Sequence, residues 1–341
     1  THCISSAASD VYKRQGQSDR CRAECNCTGL IDHLRSDEDV LIQGWGEILT
    51  PFYLYPDKTM QTHLQCGRYR LSVDAAARPL VMGILNITPD SFSDGGKYHM
   101  LDTALSHAEE MIAAGVDIID IGGESSRPGS LAVSLKDELD RVMPLVYALR
   151  DCGKPLSIDT YKPEVMRETI AAGADMINDI NGFRAPGALQ AVADADCALC
   201  VMHMQNDPQS MQLQPEYDDV VAEVGEFLRE RIGLMEQVGI ARERICIDPG
   251  LGFGKTLAHN IALLKNTRQM QASLQAPMLI GLSRKTMIGA LTDRPVEQRM
   301  AGSLAGALAA VAQGARIVRV HDVAETVDAL RVWQAAVSYT H

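Results

Sequence analysis

The stretch Leu80-Val81-Met82-Gly83-Ile84-Leu85, with Asn86-Ile87-Thr88-Pro89-Asp90 behind it, decides the fold. Its apolar residues run on without polar alternation, the pattern of a strand buried on both faces in a parallel sheet. The turn that follows is not the Gly-x-Gly-x-x-Gly that opens a doubly wound nucleotide-binding sheet, so that competing fold lacks its signature. Working outward, seven more such runs recur at 117–121, 155–158, 175–177, 198–202, 244–247, 278–281 and 316–320. Segments of helical period alternate with them, among them 101–114, 163–172, 217–238, 299–312 and 323–334. Pro163 suits a first helical turn, and Gly115, Gly173, Gly239 and Gly314 stand where helices should stop. Eight β/α units between 80 and 336 predict an α/β fold, a (β/α)8 TIM barrel.

Composition narrows the function. The chain carries 32 Lys and Arg against 44 Asp and Glu, a formal charge of −12, which opposes binding along a nucleic-acid backbone. Hydrophobic residues at 46% and charged ones at 22% suit a globular protein with a sizeable core. No stretch reaches the roughly 18 apolar residues of a membrane span, and the first residues lack the order of a signal peptide. A cytoplasmic enzyme without membrane or nucleic-acid partners is the expectation. Of the nine cysteines, Cys21, Cys25 and Cys27 have no paired second half to make a zinc site. Cys197 and Cys200 lie three apart, hence on opposite faces of one strand, and read as packed reduced thiols.

The two ends read differently from the middle. Asp10-Val11-Tyr12-Lys13-Arg14-Gln15 can be encoded by GATGTGTATAAGAGACAG, and the reverse complement of that string encodes Val337-Ser338-Tyr339-Thr340-His341. Inverted copies of one string on both sides mark a sequencing adapter. Residues 1–59, irregular and polar beyond the first fifteen, are expected to be a non-native or untranslated-region-derived extension, adapter-like over 1–15. The barrel domain is expected over 60–336, with a start near Met60, and 337–341 as an adapter-like tail.

In a (β/α)8 barrel the chemistry sits at the C-terminal ends of the strands. The residues just past each run are Asn86; Glu124, Ser125, Ser126 and Arg127; Asp159; Asn178 and Asp179; His203; Asp248; Ser283, Arg284 and Lys285; and Arg319 and His321. Asn, Asp and Ser alone would be ordinary caps and turns, but Lys285, Arg319 and His321 are poor caps, and every end is polar. Arg284, Lys285, Arg319 and His321 gather cations where barrels often bind phosphate, which points to an anionic substrate group. Asp159 and Asp248, with Asn178 nearby, suit a divalent metal, an acid/base pair or the paired N–H edge of a heterocycle; the residues leave these three open. The loops 86–96 and 122–130 are rich in Gly, Ser and Pro, and such loops order over a substrate and exclude water.

Seven motifs, in order, carry a family resemblance. They are Met82-Gly83-Ile84-Leu85-Asn86-Ile87-Thr88-Pro89-Asp90-Ser91-Phe92-Ser93-Asp94-Gly95-Gly96, Gly122-Gly123-Glu124-Ser125-Ser126-Arg127-Pro128-Gly129, Asn178-Asp179-Ile180, Asp248-Pro249-Gly250, Gly252-Phe253-Gly254-Lys255, Ser283-Arg284-Lys285 and Arg319-Val320-His321-Asp322. Together they resemble the bacterial dihydropteroate synthases of the pterin-binding family. The resemblance implies a folate-synthesis transferase that joins 6-hydroxymethyl-7,8-dihydropterin diphosphate to p-aminobenzoate, giving 7,8-dihydropteroate and pyrophosphate, with Mg²⁺ as cofactor. It also implies a target for sulfonamides and a homodimer; the small-residue helix with Gly302 and Gly306 would pack on a neighbour or on its own barrel.

Residue by residue, the resemblance gives the pterin to Asp159, Asn178, Asp248 and Lys285, with Met202 against the ring. Asn86 matches the Mg²⁺ ligand. Ser126, Arg319 and His321, with Val320 in the same motif, match the diphosphate contacts, and Arg127, Pro128, Phe253 and Ser283 the p-aminobenzoate site. Lys285, which charge alone gives to the anion, goes to the pterin. Many relatives carry Thr in place of Ser126, but the hydroxyl is kept. No acid/base catalyst is assigned: an arylamine attacks as its free base, and Lys285, Asp159 and Asp248 position the substrate for a dissociative course. Two other readings share the barrel, a methyltetrahydrofolate–corrinoid methyltransferase and a non-catalytic pterin-binding paralogue.

Overall fold

The computed structural model describes residues 61–87, 97–125, 132–205 and 215–337. Two short antiparallel strands, β1 (His63–Cys66) and β2 (Tyr69–Ser72), precede eight parallel ones. These are β3 (Leu80–Asn86), β4 (Ile118–Gly122), β5 (Leu156–Asp159), β6 (Met176–Asp179), β7 (Ala198–Met202), β8 (Ile245–Asp248), β9 (Leu279–Ile280) and β10 (Ile317–Val320). The sheet runs β8-β7-β6-β5-β4-β3-β10-β9. A bridge between Ile247 and Met278, with the Ile247 amide donating to the Pro277 carbonyl at 3.0 Å, joins its two ends into a barrel. All eight predicted runs are strands, although the run at 278–281 contracts to two residues.

Ten helices alternate with the strands among the described residues: α1 (Lys97–Ala114), α2 (Leu135–Leu149), α3 (Pro163–Ala172), α4 (Ala188–Val192), α5 (Val220–Gln237), α6 (Leu257–Lys265), α7 (Thr267–Leu274), α8 (Thr286–Thr292), α9 (Met300–Ala312) and α10 (Val323–Val337). Local chemistry sets their ends. The Asp219 carboxylate caps α5 by accepting from the Val221 and Ala222 amides, and Gly173, in the left-handed region at φ 113°, stops α3. On α5, Val224, Leu228, Ile232 and Met235 recur every three to four residues and are all buried. A Cβ on Gly306 would stand 2.5 Å from Leu282, and one on Gly302 2.5 Å from Ile288; the small face of α9 therefore packs on its own barrel. None of the described helices is long and apolar enough to cross a membrane.

Register divides the barrel into layers. Asn86, Gly122, Asp159 and Asn178 stand side by side across β3 to β6, and Met202 stands beside Asp248 across β7 and β8. Residues paired in parallel strands point to one face, as do residues two apart along a strand. Met82, four before Asn86, packs inside the barrel with Ile118, Met176, Cys200, Cys246 and Ile317, so the polar rung is interior too. The lower layer is apolar and the upper layer carries the charge.

The hairpin β1–β2 closes the apolar end. The sequence pattern marks no strand here, but the structure does: Leu64 and Cys66 are fully buried in that layer with Val73 beside them. Arg316 donates to the carbonyls of Val73 at 3.1 Å and Ala77 at 2.6 Å, and Arg68 pairs with Asp175 at 3.2 Å. Cys200 lies inside the barrel beside Cys246, while Cys197 packs among the outer helices. Their opposite faces agree with the strand reading, and no described cysteine is in a disulfide. The expected extension over 1–59 and the residues 338–341 lie outside the described residues, while α10 runs through Val337.

Candidate active site

Above the polar rung the strand ends open into a narrow cleft lined by Asp159, Asn178, Ile180, Met202, Asp248, Phe253, Gly281, Lys285 and Arg319. Ile180, Met202 and Phe253 pack together with Met204 and form an apolar wall suited to a flat ring. The remaining lining is polar and charged, from strands far apart in sequence.

Each charged group is held by named partners. The Asp248 carboxylate accepts from the Gly250 amide at 2.7 Å. Burial raises its pKa, and the neighbouring Lys285 ammonium opposes that rise. Lys285 Nζ donates to the Leu251 carbonyl at 2.5 Å and lies 4.4 Å from the centre of the Phe253 ring. Burial lowers its pKa to about 8, against the pull of Asp248. Arg319 divides its fork between two carboxylates, Nε to Asp120 at 2.6 Å and Nη2 to Asp159 at 2.7 Å. Burial works against that charge, but the two carboxylates outweigh it and hold the guanidinium pKa above its ordinary value. Asp159 is pushed up by burial and drawn back by Arg319.

Asp120 is the site residue the sequence reading missed. It is fully buried, accepts from Asn178 Nδ2 at 3.3 Å as well as from Arg319, and its Oδ1 has no hydrogen-bond partner among the described residues. The signal was a carboxylate in the otherwise apolar Ile118-Ile119-Asp120-Ile121. A second unread cluster lies at the base of the loop after β4. Lys162 pairs with Glu124 and, at 2.5 Å, with Glu138, while the Tyr161 hydroxyl donates to Glu124 at 2.8 Å.

The four cations grouped by charge face different partners, which corrects that grouping. Arg284, at φ 57°, turns its guanidinium onto Asp322 and is not part of the cavity lining. His321 meets Ser283: its amide donates to the Ser283 hydroxyl at 3.2 Å, and its Nδ1 lies 3.1 Å from the same oxygen. Val320 is buried behind them. Lys285 and Arg319 alone of the four line the cavity.

Asn86 ends β3 half-buried at the rim. Gly122 beside it carries no side chain, and a Cβ there would stand 2.9 Å from Asn86 Oδ1 and 3.7 Å from the Asp159 Cβ. The amide oxygen is a hard donor of the kind Mg²⁺ prefers, and the described residues hold no group of three or more His, Cys, Asp or Glu that would cage an ion. One protein oxygen completed by substrate phosphate and water is the usual Mg²⁺ arrangement, so the donor fits the ion. Ser126, Arg127 and Pro128 lie outside the described residues.

The sequence model of the pterin binding enzymes matches residues 82–321, and the chain belongs to that family. Within the family its relatives are dihydropteroate synthases. The Escherichia coli (strain K12) dihydropteroate synthase is 51% identical over 263 residues, covering 77% of this chain and 93% of that one. The Burkholderia cenocepacia enzyme, solved with 7,8-dihydropteroate, is 52% identical with a TM-score of 0.75, covering 82% of this chain and 98% of that one. The Xanthomonas albilineans enzyme, solved with 4-aminobenzoic acid, is 50% identical with a TM-score of 0.76, covering 82% and 99%. These relatives favour the synthase over the methyltransferase and the non-catalytic paralogue.

Proposed function

We propose that the protein joins 6-hydroxymethyl-7,8-dihydropterin diphosphate to p-aminobenzoate, forming 7,8-dihydropteroate and releasing pyrophosphate. The observation that carries this reading is the convergence of Asp159, Asn178, Asp248 and Lys285 on one cavity beside Met202, in a chain about half identical to dihydropteroate synthases over nearly their full length.

The chemistry follows from what each group offers. The amino-pyrimidinone edge of a pterin presents parallel N–H donors, which the buried carboxylate of Asp248 accepts; a charged acceptor makes such bonds strong. Asn178 offers both a donor and an acceptor, and the Lys285 ammonium donates to the ring's own acceptors. Met202 packs on the ring face. Arg319 keeps Asp159 and Asp120 in place, and Ser126 and His321 stand for the diphosphate. As the C–O bond to the diphosphate breaks, the electron-rich dihydropterin spreads the positive charge of the methylene. The p-aminobenzoate nitrogen, held by Arg127, Pro128, Phe253 and Ser283, attacks as the free base, and its proton passes to water. Asn86 would hold Mg²⁺ through its amide oxygen, and the ion, when bound, would supply charge neutralisation for the leaving diphosphate. The chain acts as a cytoplasmic homodimer in this reading.

Pyrophosphate release, measured with and without p-aminobenzoate, tests the proposal. Release that depends on both substrates is expected. Methyl transfer from methyltetrahydrofolate, or pterin binding without turnover, would replace it with one of the other two readings.

A further inference from the structure

The motif Gly252-Phe253-Gly254-Lys255 gives Phe253 to the cavity, and nothing above uses its lysine. Lys255 is 4% exposed. Its Nζ donates to the carbonyls of Phe253 at 2.9 Å, Gly250 at 3.0 Å and His203 at 3.3 Å, and meets His203 Nδ1 at 3.0 Å. Burial lowers the Lys255 pKa to about 7, against the pull of Asp248. Burial, with the Lys255 charge next, lowers the His203 pKa to about 3 and keeps the ring neutral. The ring is fixed edge-on against Phe227 at 4.9 Å between centroids.

The backbone that this lysine gathers has no side chains to shape it. Gly250, Gly252 and Gly254 take φ of +69°, +83° and +59°, and a Cβ on Gly250 would stand 1.9 Å from the His203 carbonyl oxygen. Three left-handed glycines leave the turn many alternative paths. The Nζ of Lys255 selects one by drawing the Gly250 and Phe253 carbonyls to a single point. From this turn hang the Gly250 amide that holds Asp248, the Leu251 carbonyl that holds Lys285, and the Phe253 ring under the same lysine.

We propose that Lys255 is a positioning residue for the pterin pocket: clasped by the carbonyls of His203, Gly250 and Phe253 and close to His203 Nδ1, it fixes the turn that presents Asp248 and Lys285 to the pterin. The inference rests on reading the cavity as a pterin site. A lysine that merely stabilised the fold would change the amount of active protein and hence kcat, whereas a positioning residue moves the affinity for the substrate it orients.

The test uses the full chain with Lys255→Met, which keeps the stem but has no donor, and Lys255→Gln, which keeps two donors on a shorter arm. Calorimetric titration with 6-hydroxymethylpterin gives its Kd, and pyrophosphate release gives KM for each substrate. In Lys255→Met the pterin Kd and KM rise at least about tenfold, KM for p-aminobenzoate rises several-fold less because only its Phe253 contact hangs from this turn, and Lys255→Gln falls between it and the parent. An unchanged pterin Kd with lowered kcat, or equal weakening of both substrates, overturns the proposal. If Lys255→Met does not fold, Lys255→Gln decides alone: a rise in pterin Kd beyond about threefold supports the role, and no rise overturns it. A parental chain that neither binds the pterin nor releases pyrophosphate overturns the functional reading instead, so the two failures are distinct.

Discussion

Replacing Asp248 with Asn alters the pocket by one charge and almost no volume. The new side chain keeps an oxygen for the Gly250 amide, which now bonds Oδ1 at 2.7 Å, but turns an NH2 toward the space where the second carboxylate oxygen receives a pterin N–H. One charge-assisted hydrogen bond is lost, about 1.5–3 kcal/mol, or roughly 10- to 150-fold in pterin Kd. A second effect is tied to it. In the parent, burial lowers the Lys285 pKa to about 8 while Asp248 opposes the fall. Lysine is cationic below its pKa, so kcat/KM for the pterin substrate should drop as pH rises through about 8. Without the Asp248 charge the lysine loses its proton more readily, and that alkaline limb moves to lower pH. Calorimetry with 6-hydroxymethylpterin and a pH series of pyrophosphate release measure the two effects. A Kd within about threefold of the parent, or an alkaline limb that stays in place, refutes the pairing of Asp248 with Lys285 in this site.

Leu64→Ala should empty a fully buried position in the hairpin and lower stability by about 2–5 kcal/mol. Urea unfolding should show it as a reduced midpoint with KM for both substrates unchanged, and an unaltered midpoint would deny the hairpin its part in the core. Asn86→Ala should raise the Mg²⁺ concentration needed for half-maximal turnover while leaving binding of the unphosphorylated pterin intact; an unmoved Mg²⁺ dependence would take Asn86 out of the metal site. A chain beginning at Met60 should keep kcat/KM within about twofold of the full chain, and a larger loss would mean that residues before it contribute to the enzyme.

What the sequence revealed, and what it hid, follow from how far apart the interacting residues lie. The barrel strands were legible because a parallel strand buried on both faces is an unbroken apolar word, as in Leu80 to Leu85. The polar ends were legible because the barrel rule places them at one rim. The hairpin was not, since His63–Cys66 buries only alternate residues and Tyr69–Ser72 none fully, and both draw their stability from the barrel they close. Asp120 was visible as an oddity, but its partner Arg319 lies 199 residues away, and only β-register brings them together. Arg284 was misgrouped because charge says nothing of direction; its left-handed backbone aims it at Asp322.

The packed apolar layer, capped by β1 and β2, gives the barrel the form of a shallow cup open at one end only. Whatever settles at the bottom of the cup must arrive and depart past its lip, where the second substrate is proposed to lie. In the proposed reading the bicyclic substrate would therefore go in before the aromatic amine, and an occupied lip would detain it.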